Sequence, residues 1–148
     1  MCGTGWLTHA GAVTEQIVRI NPDRLHTPPG YHHVTVVAAG RVAYLAGQCP
    51  LDKSGALVGD NDINAQVDQI AENAMIALAT VDATPDQVVR TVIYVVSDER
   101  EVLSAVWDRL TQSPIGPAFT TASTLLGVAR LGFPGQLVEV DLTAALPA

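Results

Sequence analysis

The segment Val88–Val96 reads VVRTVIYVV, and the fold can be inferred by working outward from it. It is rich in β-branched residues, and apolar side chains occupy both its odd-numbered and its even-numbered positions. Because these positions point to opposite faces of a strand, the pattern is typical of a strand that is covered on both faces. We therefore predict that it lies in the centre of a sheet, next to a parallel strand. Such a neighbour is reached through a crossover connection, which is right-handed in nearly all proteins.

Helices are predicted on both sides of this strand, at residues 63–81 and 98–110. In the first, apolar residues recur three or four positions apart and form one stripe, which is the pattern of an amphipathic helix. The stripe consists of Ile63, Val67, Ile70, Ala74, Leu78 and Val81. The residues that can cap the two N-termini are Asp60 or Asp62 for the first helix and Ser97 or Asp98 for the second.

Five further strands are predicted from short β-rich runs. They span residues 16–20, 33–38, 41–46, 120–131 and 137–143. The second and third strands are expected to form a hairpin that turns at Ala39 and Gly40, and the last two a hairpin around residues 132–135. The order β-β-β-α-β-α-β-β predicts an α+β fold with one mixed sheet and two helices on one face.

The last predicted strand alternates between apolar and polar positions. One face carries Val138, Val140 and Leu142, and the other carries Leu137, Glu139, Asp141 and Thr143. The two helices cover only one face of the sheet, although the inner strands are apolar on both. We therefore expect the second face to be covered by further copies of the chain.

The composition limits the classes of function. At 148 residues the chain has room for one domain, which we place at residues 16–148 behind an irregular extension at residues 1–15. Eight basic residues against fifteen acidic ones, with Lys53 as the single lysine, make nucleic acid an unfavourable partner. Two cysteines do not make a disulfide framework, and no secretory signal or membrane-spanning apolar run is visible. We therefore expect a cytoplasmic protein.

Six segments, taken in order, resemble one known family. They are residues 29–34 (PGYHHV), 46–52 (AGQCPLD), 62–66 (DINAQ), 88–92 (VVRTV), 127–131 (GVARL) and 137–140 (LVEV). Each is weak by itself, but their order and spacing are similar to those of RidA/YjgF-like proteins, the reactive intermediate deaminases, also called endoribonuclease L-PSP-like. The resemblance implies a chorismate-mutase-like fold and a homotrimer with clefts between subunits. It also implies cofactor-free hydrolysis of small enamines or imines derived from amino acids.

Two positions depart from the family's pattern. An arginine in the family motif P-A-R-S-x-V-x-V-A-x-L clamps the substrate carboxylate, and alignment on residues 128–131 puts Ser123 in its place. A serine hydroxyl gives one neutral hydrogen bond, whereas a guanidinium gives a bidentate ionic one. Arg130 lies seven residues, or roughly 23 Å, further along the same strand and on its opposite face. It therefore cannot replace the family arginine from that position. Ala46 replaces a family serine, which removes another polar group from the expected cleft.

The resemblance implies a site that contains six residues. Glu139 and Tyr31 are the candidate catalytic residues, because a carboxylate can activate water and a phenol can donate a hydrogen bond beside an apolar ligand. The candidate substrate-binding residues are Ser123, Leu125, Ala46 and His33. Structural interpretations stay open as well. Glu139 can be an outward polar residue of an alternating strand, and His33 can be a structural histidine whose ring nitrogens are hydrogen-bonded within the protein.

Three other residues are interpreted structurally. Asp141 shares the face of Glu139 and is expected to be solvated. Cys49 has no histidine or aspartate partner at a spacing typical of a nucleophile. Arg90, on the central strand, is interpreted as a buried arginine paired with a carboxylate that a trimer cleft supplies, in preference to a role in ligand binding. The four histidines show no metal-binding spacing, so neither a metal nor a cofactor is expected.

Three functions are compatible with the sequence. The first is hydrolysis of a small imine, enamine or related C–N bond, acting on a substrate other than the usual carboxylate-clamped 2-imino acid. The second is a trimer that binds a small metabolite without converting it. The third, an endoribonuclease, is disfavoured by the acidic charge balance.

Overall fold

The computed structural model describes residues 16–147, so the extension predicted at residues 1–15 lies outside the described residues. Six strands and two α-helices follow one another in the predicted order. They are β1 (Ile17–Ile20), β2 (Val34–Val37), β3 (Val42–Gln48), α1 (Ile63–Thr80), β4 (Val88–Val96), α2 (Arg100–Thr111), β5 (Ala122–Val128) and β6 (Val138–Ala145). Short 3₁₀ helices, Pro85–Gln87 and Gly116–Phe119, precede β4 and β5.

Strand β4 occupies an inner position in a four-stranded sheet of order β3-β6-β4-β5, as its sequence predicts. Its parallel neighbour is β5, with Thr91 opposite Ser123 and Ile93 opposite Leu125. Its other neighbour is β6, which runs antiparallel to it. The predicted α+β class and the mixed sheet are therefore confirmed.

Two predicted hairpins are wrong. Strand β2 pairs with β1 and not with β3, so the first two strands form a separate antiparallel pair. Strands β5 and β6 do not pair with each other, because β4 lies between them. Strand β6 pairs with both β3 and β4, which satisfies the backbone hydrogen-bonding groups along both of its edges. An inner position also buries more apolar surface than an edge position does.

Both helices pack on one face of the four-stranded sheet. Their buried apolar residues are Val67, Ile70, Ala71, Ala74 and Leu78 of α1 with Val106 and Leu110 of α2. The sheet contributes Ile93 and Val95 from β4 and Val138, Val140 and Leu142 from β6, all of them almost inaccessible to solvent. Burial of one such aliphatic side chain stabilises the fold by about 1.5–3 kcal/mol.

The two α-helices differ in how their N-termini are capped. Asp62 caps α1, because its carboxylate accepts a hydrogen bond from the Ala65 amide at 3.1 Å. Glu99 is the N-cap residue of α2, and its side chain makes no capping hydrogen bond, so the predicted caps Ser97 and Asp98 are wrong. The Ser97 hydroxyl instead accepts a hydrogen bond from the Glu99 amide at 3.0 Å.

A buried glutamine joins α1 to two loops. The Gln66 side chain is inaccessible to solvent. Its amide nitrogen donates to the carbonyl oxygens of Gly59 and Gly135, both at 2.9 Å, and its oxygen accepts from the Leu137 amide at 2.7 Å. These bonds fix the backbone that leads into β6 and thereby support the register of that strand.

Gln66→Ala is expected to lower the free energy of unfolding by about 3 kcal/mol, because it leaves a buried amide and two carbonyl groups without partners. Urea unfolding measures this change. Asn64→Ala, at an exposed position of the same helix, is the matched control and should cost less than about 0.5 kcal/mol. Equal effects of the two substitutions would contradict the structural role of Gln66.

Candidate functional site

A cleft lies on the helix side of the sheet, between α2, β5 and the loop that precedes β2. Its volume is about 310 Å³. Three of the six expected site residues, Tyr31, Ser123 and Leu125, lie together in its wall. Ser123 and Leu125 reach the cleft because they are two positions apart on β5 and so share one face of the strand. The full lining consists of Pro29, Tyr31, Ser104, Trp107, Asp108, Ser123 and Leu125.

The rings of Tyr31 and Trp107 form one wall of the cleft. They meet edge to face with their centroids 6.4 Å apart, and Trp107 packs in the same manner on Phe119 at 6.0 Å. The Tyr31 hydroxyl lies 3.0 Å from Nε2 of His26. His33 packs edge-on against Tyr31 at 5.8 Å, and its Nε2 donates to the His26 carbonyl oxygen at 2.7 Å. His33 therefore contacts the tyrosine from outside the lining of the cleft.

The hydroxyl of Ser123 is already bonded within the chain. It accepts a hydrogen bond from the Thr91 hydroxyl at 2.6 Å. The backbone carbonyl oxygens of Thr121 and Phe119 lie 3.1 and 3.3 Å away and accept its own proton. Because a hydroxyl has a single proton to donate, Ser123 offers a ligand in the cleft a lone pair and no hydrogen-bond donor.

Glu139 lies on the opposite face of the sheet, in a group of polar side chains. It accepts a hydrogen bond from Cys49 Sγ at 3.1 Å, and Asp141 accepts one from the Tyr94 hydroxyl at 3.1 Å. These four residues are called the carboxylate cluster below. Asp141 was expected to be solvated, but it is half-buried in this cluster.

A glycine allows β3 to approach both carboxylates. A β-carbon at Gly47 would lie 2.7 Å from a Glu139 oxygen and 2.9 Å from an Asp141 oxygen, which is closer than such atoms can stand. The two carboxylates therefore converge on the same point of the β3 backbone, and a side chain at position 47 would displace them from this arrangement.

Burial and the carboxylate cluster raise the pKa of Cys49. Burial is the largest cause, because it disfavours the thiolate, and the hydrogen bond to Glu139 and its negative charge add to it. The pKa reaches about 11, so the thiol is protonated at neutral pH and serves as a donor to Glu139, not as a nucleophile. The pKa of Tyr94 is also raised, chiefly because its hydroxyl donates to the Asp141 carboxylate.

Ala46 and Arg90 also lie outside the cleft. Ala46 is exposed and belongs to a β-bulge of β3, where the pairing with β6 shifts between Leu45 and Gln48. Arg90 is exposed as well, and its guanidinium donates to the Thr124 hydroxyl at 2.9 Å. Among the described residues of a single chain no carboxylate pairs with Arg90, and the predicted pairing with a carboxylate across a trimer cleft stays a prediction.

Strand alternation divides the expected site residues between the two faces of the sheet. In β6, Val138 and Val140 are buried beneath the helices, so Glu139 between them faces the other way. In β5, Ser123 and Leu125 lie on the helix side. Within one chain the sheet itself separates Glu139 from the cleft.

Four lining residues, Pro29, Ser104, Trp107 and Asp108, were not among the predicted site residues, and Trp107 and Asp108 bring the aromatic ring and the charge. In α2 they directly follow Val106, which belongs to the buried stripe of that helix. The available signal was the tryptophan, because a large aromatic side chain beside the apolar stripe needs an apolar contact of its own. Nothing in the sequence indicated that this contact is Tyr31.

Other depressions are larger than the cleft, and one of them, about 650 Å³ in volume and beside α1, has Asp52, Lys53 and Glu72 in its lining. A depression of about 580 Å³ at the ends of β4 and β5 is larger than the cleft, but Asp98 is the one ionisable residue in its lining. Within residues 16–147, no group of three or more His, Cys, Asp or Glu side chains is arranged to hold a metal ion. No helix in that part of the chain is long and apolar enough to cross a membrane.

Comparison with known proteins connects this fold to one family. The family model described as Endoribonuclease L-PSP matches residues 23–146. The chain is similar to YyfB of Yersinia pestis, described as a protein of unknown function of the conserved Rid family. The identity is 32%, the alignment covers 88% of this chain and 99% of that one, and the TM-score is 0.77.

Two further structures are similar. Rv2704 of Mycobacterium tuberculosis, a member of the YjgF/YER057c/UK114 family, is 29% identical over 79% of this chain and 87% of that one, with a TM-score of 0.58. The YjgF gene product of E. coli is 22% identical over 73% of this chain and 83% of that one, with a TM-score of 0.56, and shares the fold. A comparison with curated proteins finds no match.

Glu139→Gln is expected to lower the pKa of Cys49 below about 11, because it removes the negative charge that opposes thiolate formation. In a Cys2→Ser background, the pH dependence of iodoacetamide alkylation reports the ionisation of Cys49 alone. The alkylation profile should move to lower pH. Thr143→Val, on the same face of β6, is the control and should leave the profile in place. A profile unchanged by Glu139→Gln would show that the thiol does not face this carboxylate.

Proposed function

This chain belongs to the endoribonuclease L-PSP family, which includes Rid and YjgF proteins, and we propose that it hydrolyses small imines at a site shared between subunits of a homotrimer. The observation that carries the proposal is the separation of the cleft from the carboxylate cluster by the sheet. In a closed ring of subunits, the open face of one chain can cover the cleft of the next. Such a ring brings Glu139 of one subunit to Tyr31 and Ser123 of another.

The face of the sheet opposite the helices supports self-association. Tyr44 on the edge strand β3 is 82% exposed, and it pairs with Thr143 on the face that carries Glu139. Apolar side chains are also exposed at Val42 of β3 and on the separate pair of β1 and β2, namely Val18, Ile20, Val34 and Val36. Exposed apolar surface of this kind marks protein interfaces. We propose that the trimer buries it.

The reaction requires one water molecule and two proton transfers. The water oxygen forms a bond to the imine carbon while the π electrons of the C=N bond move to nitrogen, which gives a carbinolamine. The C–N bond then breaks, so that a carbonyl compound and ammonia are released. Glu139 accepts the first proton from the attacking water and passes it to the nitrogen, and it transfers the proton of the carbinolamine hydroxyl to the departing nitrogen as the C=O bond forms. Tyr31 supplies a phenol that orients the reacting group by a hydrogen bond.

Cys49 is a positioning residue in this proposal. Its thiol donates to Oε1 of Glu139 and stays protonated at neutral pH, so it holds the carboxylate in one orientation without competing for the substrate. The second carboxylate oxygen of Glu139 is left for the water. Positioning of this kind matters because a general base acts only within hydrogen-bond reach of the proton that it removes.

The cleft does not suit the carboxylate of a 2-imino acid. Ser123 stands where the family resemblance assigns the arginine clamp, and its proton is engaged by backbone carbonyl groups. The proposed substrate is therefore a small imine or enamine without that carboxylate. No cofactor takes part in the proposed reaction, and the cysteine usage supports a cytoplasmic location.

A second candidate function is favoured by the departures at Ser123 and Ala46. Both replace polar groups of the expected site, so a trimer that binds a small metabolite without converting it is the alternative. An endoribonuclease is a weaker candidate, in spite of the family's descriptive name. The chain carries fifteen acidic against eight basic residues, and RNA binding depends on the neutralisation of phosphates.

The protein is expected to accelerate ammonia release from a small aliphatic imine, generated in situ by an amine oxidase, more than from 2-iminobutanoate, generated by an amino-acid oxidase. Glu139→Gln should lower the rate at least about 100-fold, because it removes the general base. Ser123→Arg should raise the rate on 2-iminobutanoate, because it restores a bidentate partner for the carboxylate. Asn64→Ala, at an exposed position outside the proposed site, is the control and should leave both rates unchanged.

Ammonia release that never exceeds the protein-free rate, for any imine tested, would exclude hydrolysis. Saturable binding by calorimetry, with the ligand recovered unchanged, would then support the binding trimer. RNA cleavage that persists through further purification and disappears in Glu139→Gln would support the endoribonuclease instead.

A further inference from the structure

The charge of the cleft is negative where a family arginine would make it positive. Asp108 is the charged residue in the lining. Among the described residues, none donates a hydrogen bond to its carboxylate. The adjacent Arg109 does not neutralise it, because both ends of that guanidinium bond to Asp68, at 2.8 and 2.7 Å. The same hydrogen bonds lower the pKa of the Asp68 carboxyl.

Helix α2 adds to the negative potential. Asp108 lies in its last turn, and Trp107 directly precedes it. The C-terminal end of a helix carries a partial negative charge and favours cations. A ligand in the cleft therefore meets a carboxylate and the negative end of a helix on the same side.

The remaining groups in the cleft also suit a cation. Ser123 presents a lone pair and no free proton. Tyr31 and Trp107 present aromatic surface, and the faces of such rings attract positively charged groups. An anionic ligand would find repulsion from Asp108 and no donor at Ser123. A cationic ligand with a compact apolar body finds an acceptor, a counter-charge and an apolar wall.

We infer that the cleft selects a substrate whose positive charge resides on the nitrogen of the C=N bond, that is, the protonated form of a small imine without a carboxylate, and that Asp108 is the residue which sets this preference. The reaction of that C=N bond rests on the proposed function. The preference for a cation rests on the cleft alone, so the two can fail separately.

Three probes with the same carbon skeleton test the preference by binding, without any turnover. Cyclopentylammonium, cyclopentanol and cyclopentanecarboxylate are titrated into the full-length protein, and affinities are measured by calorimetry or by nuclear magnetic resonance shifts. The cation is expected to bind most tightly and the carboxylate most weakly. Its affinity should also fall as salt is added, because the charges are exposed to solvent.

Asp108→Asn is expected to weaken binding of cyclopentylammonium about three- to fivefold, which is the size of effect that a solvent-exposed ion pair produces. Binding of cyclopentanol should not change. Glu72→Gln, which removes an exposed carboxylate of α1 outside the cleft, is the matched control and should leave all three affinities unchanged. Sedimentation of each variant verifies that the state of assembly is retained.

Equal affinity for the ammonium and the carboxylate probe, or an affinity for the ammonium that Asp108→Asn leaves intact, overturns the inference, whatever imines the protein hydrolyses. Selective binding of the ammonium that Asp108→Asn weakens supports it, even if no imine is hydrolysed. In that second case the proposed hydrolysis fails and the cleft remains a cation-binding site.

Discussion

Strand β6 imposes the constraint on which the rest of the structure depends. It lies between β3 and β4, and its alternate residues Val138, Val140 and Leu142 are buried beneath the helices. A slip of the strand by one residue would expose this apolar set and bury Glu139 and Asp141 in its place, which is costly for charged groups. Hydrophobic burial of its neighbours, and not the chemistry of Glu139 itself, therefore fixes the face on which this carboxylate lies.

The same alternation in β5 puts Ser123 and Leu125 on the helix side, where Tyr31 and Trp107 complete a cleft. A sheet of this kind keeps its two faces apart, so a site that uses both has to be completed by another copy of the chain. Burial of exposed side chains such as Tyr44 would favour association of the open face with another copy of the chain. Self-association and site formation therefore both follow from the alternation of residues between the two faces of β5 and β6.

Much of this arrangement could be predicted from the sequence, because it depends on local patterns. The β-branched run of β4, the stripe of α1 and the parity of Glu139 each follow from residue spacing. The partners of the strands did not follow. Pairing of β6 with β3 and β4 joins residues far apart in the chain, and the buried bonds of Gln66 that support it leave no periodic signal. The contact of Trp107 with Tyr31 is equally non-local, which is why the lining residues of α2 were missed.

Hybrid trimers test the shared site most directly. Glu139→Gln chains keep the cleft and lose the carboxylate, whereas Tyr31→Ala chains keep the carboxylate and lose part of the cleft, and each variant alone should be inactive on a small imine. In a co-assembled equal mixture, about a quarter of the sites combine an intact Tyr31 from one subunit with an intact Glu139 from its neighbour. The account predicts that about a quarter of the wild-type rate returns on mixing. A mixture that stays as inactive as its two components would show that each chain builds its own site, and the account would be wrong.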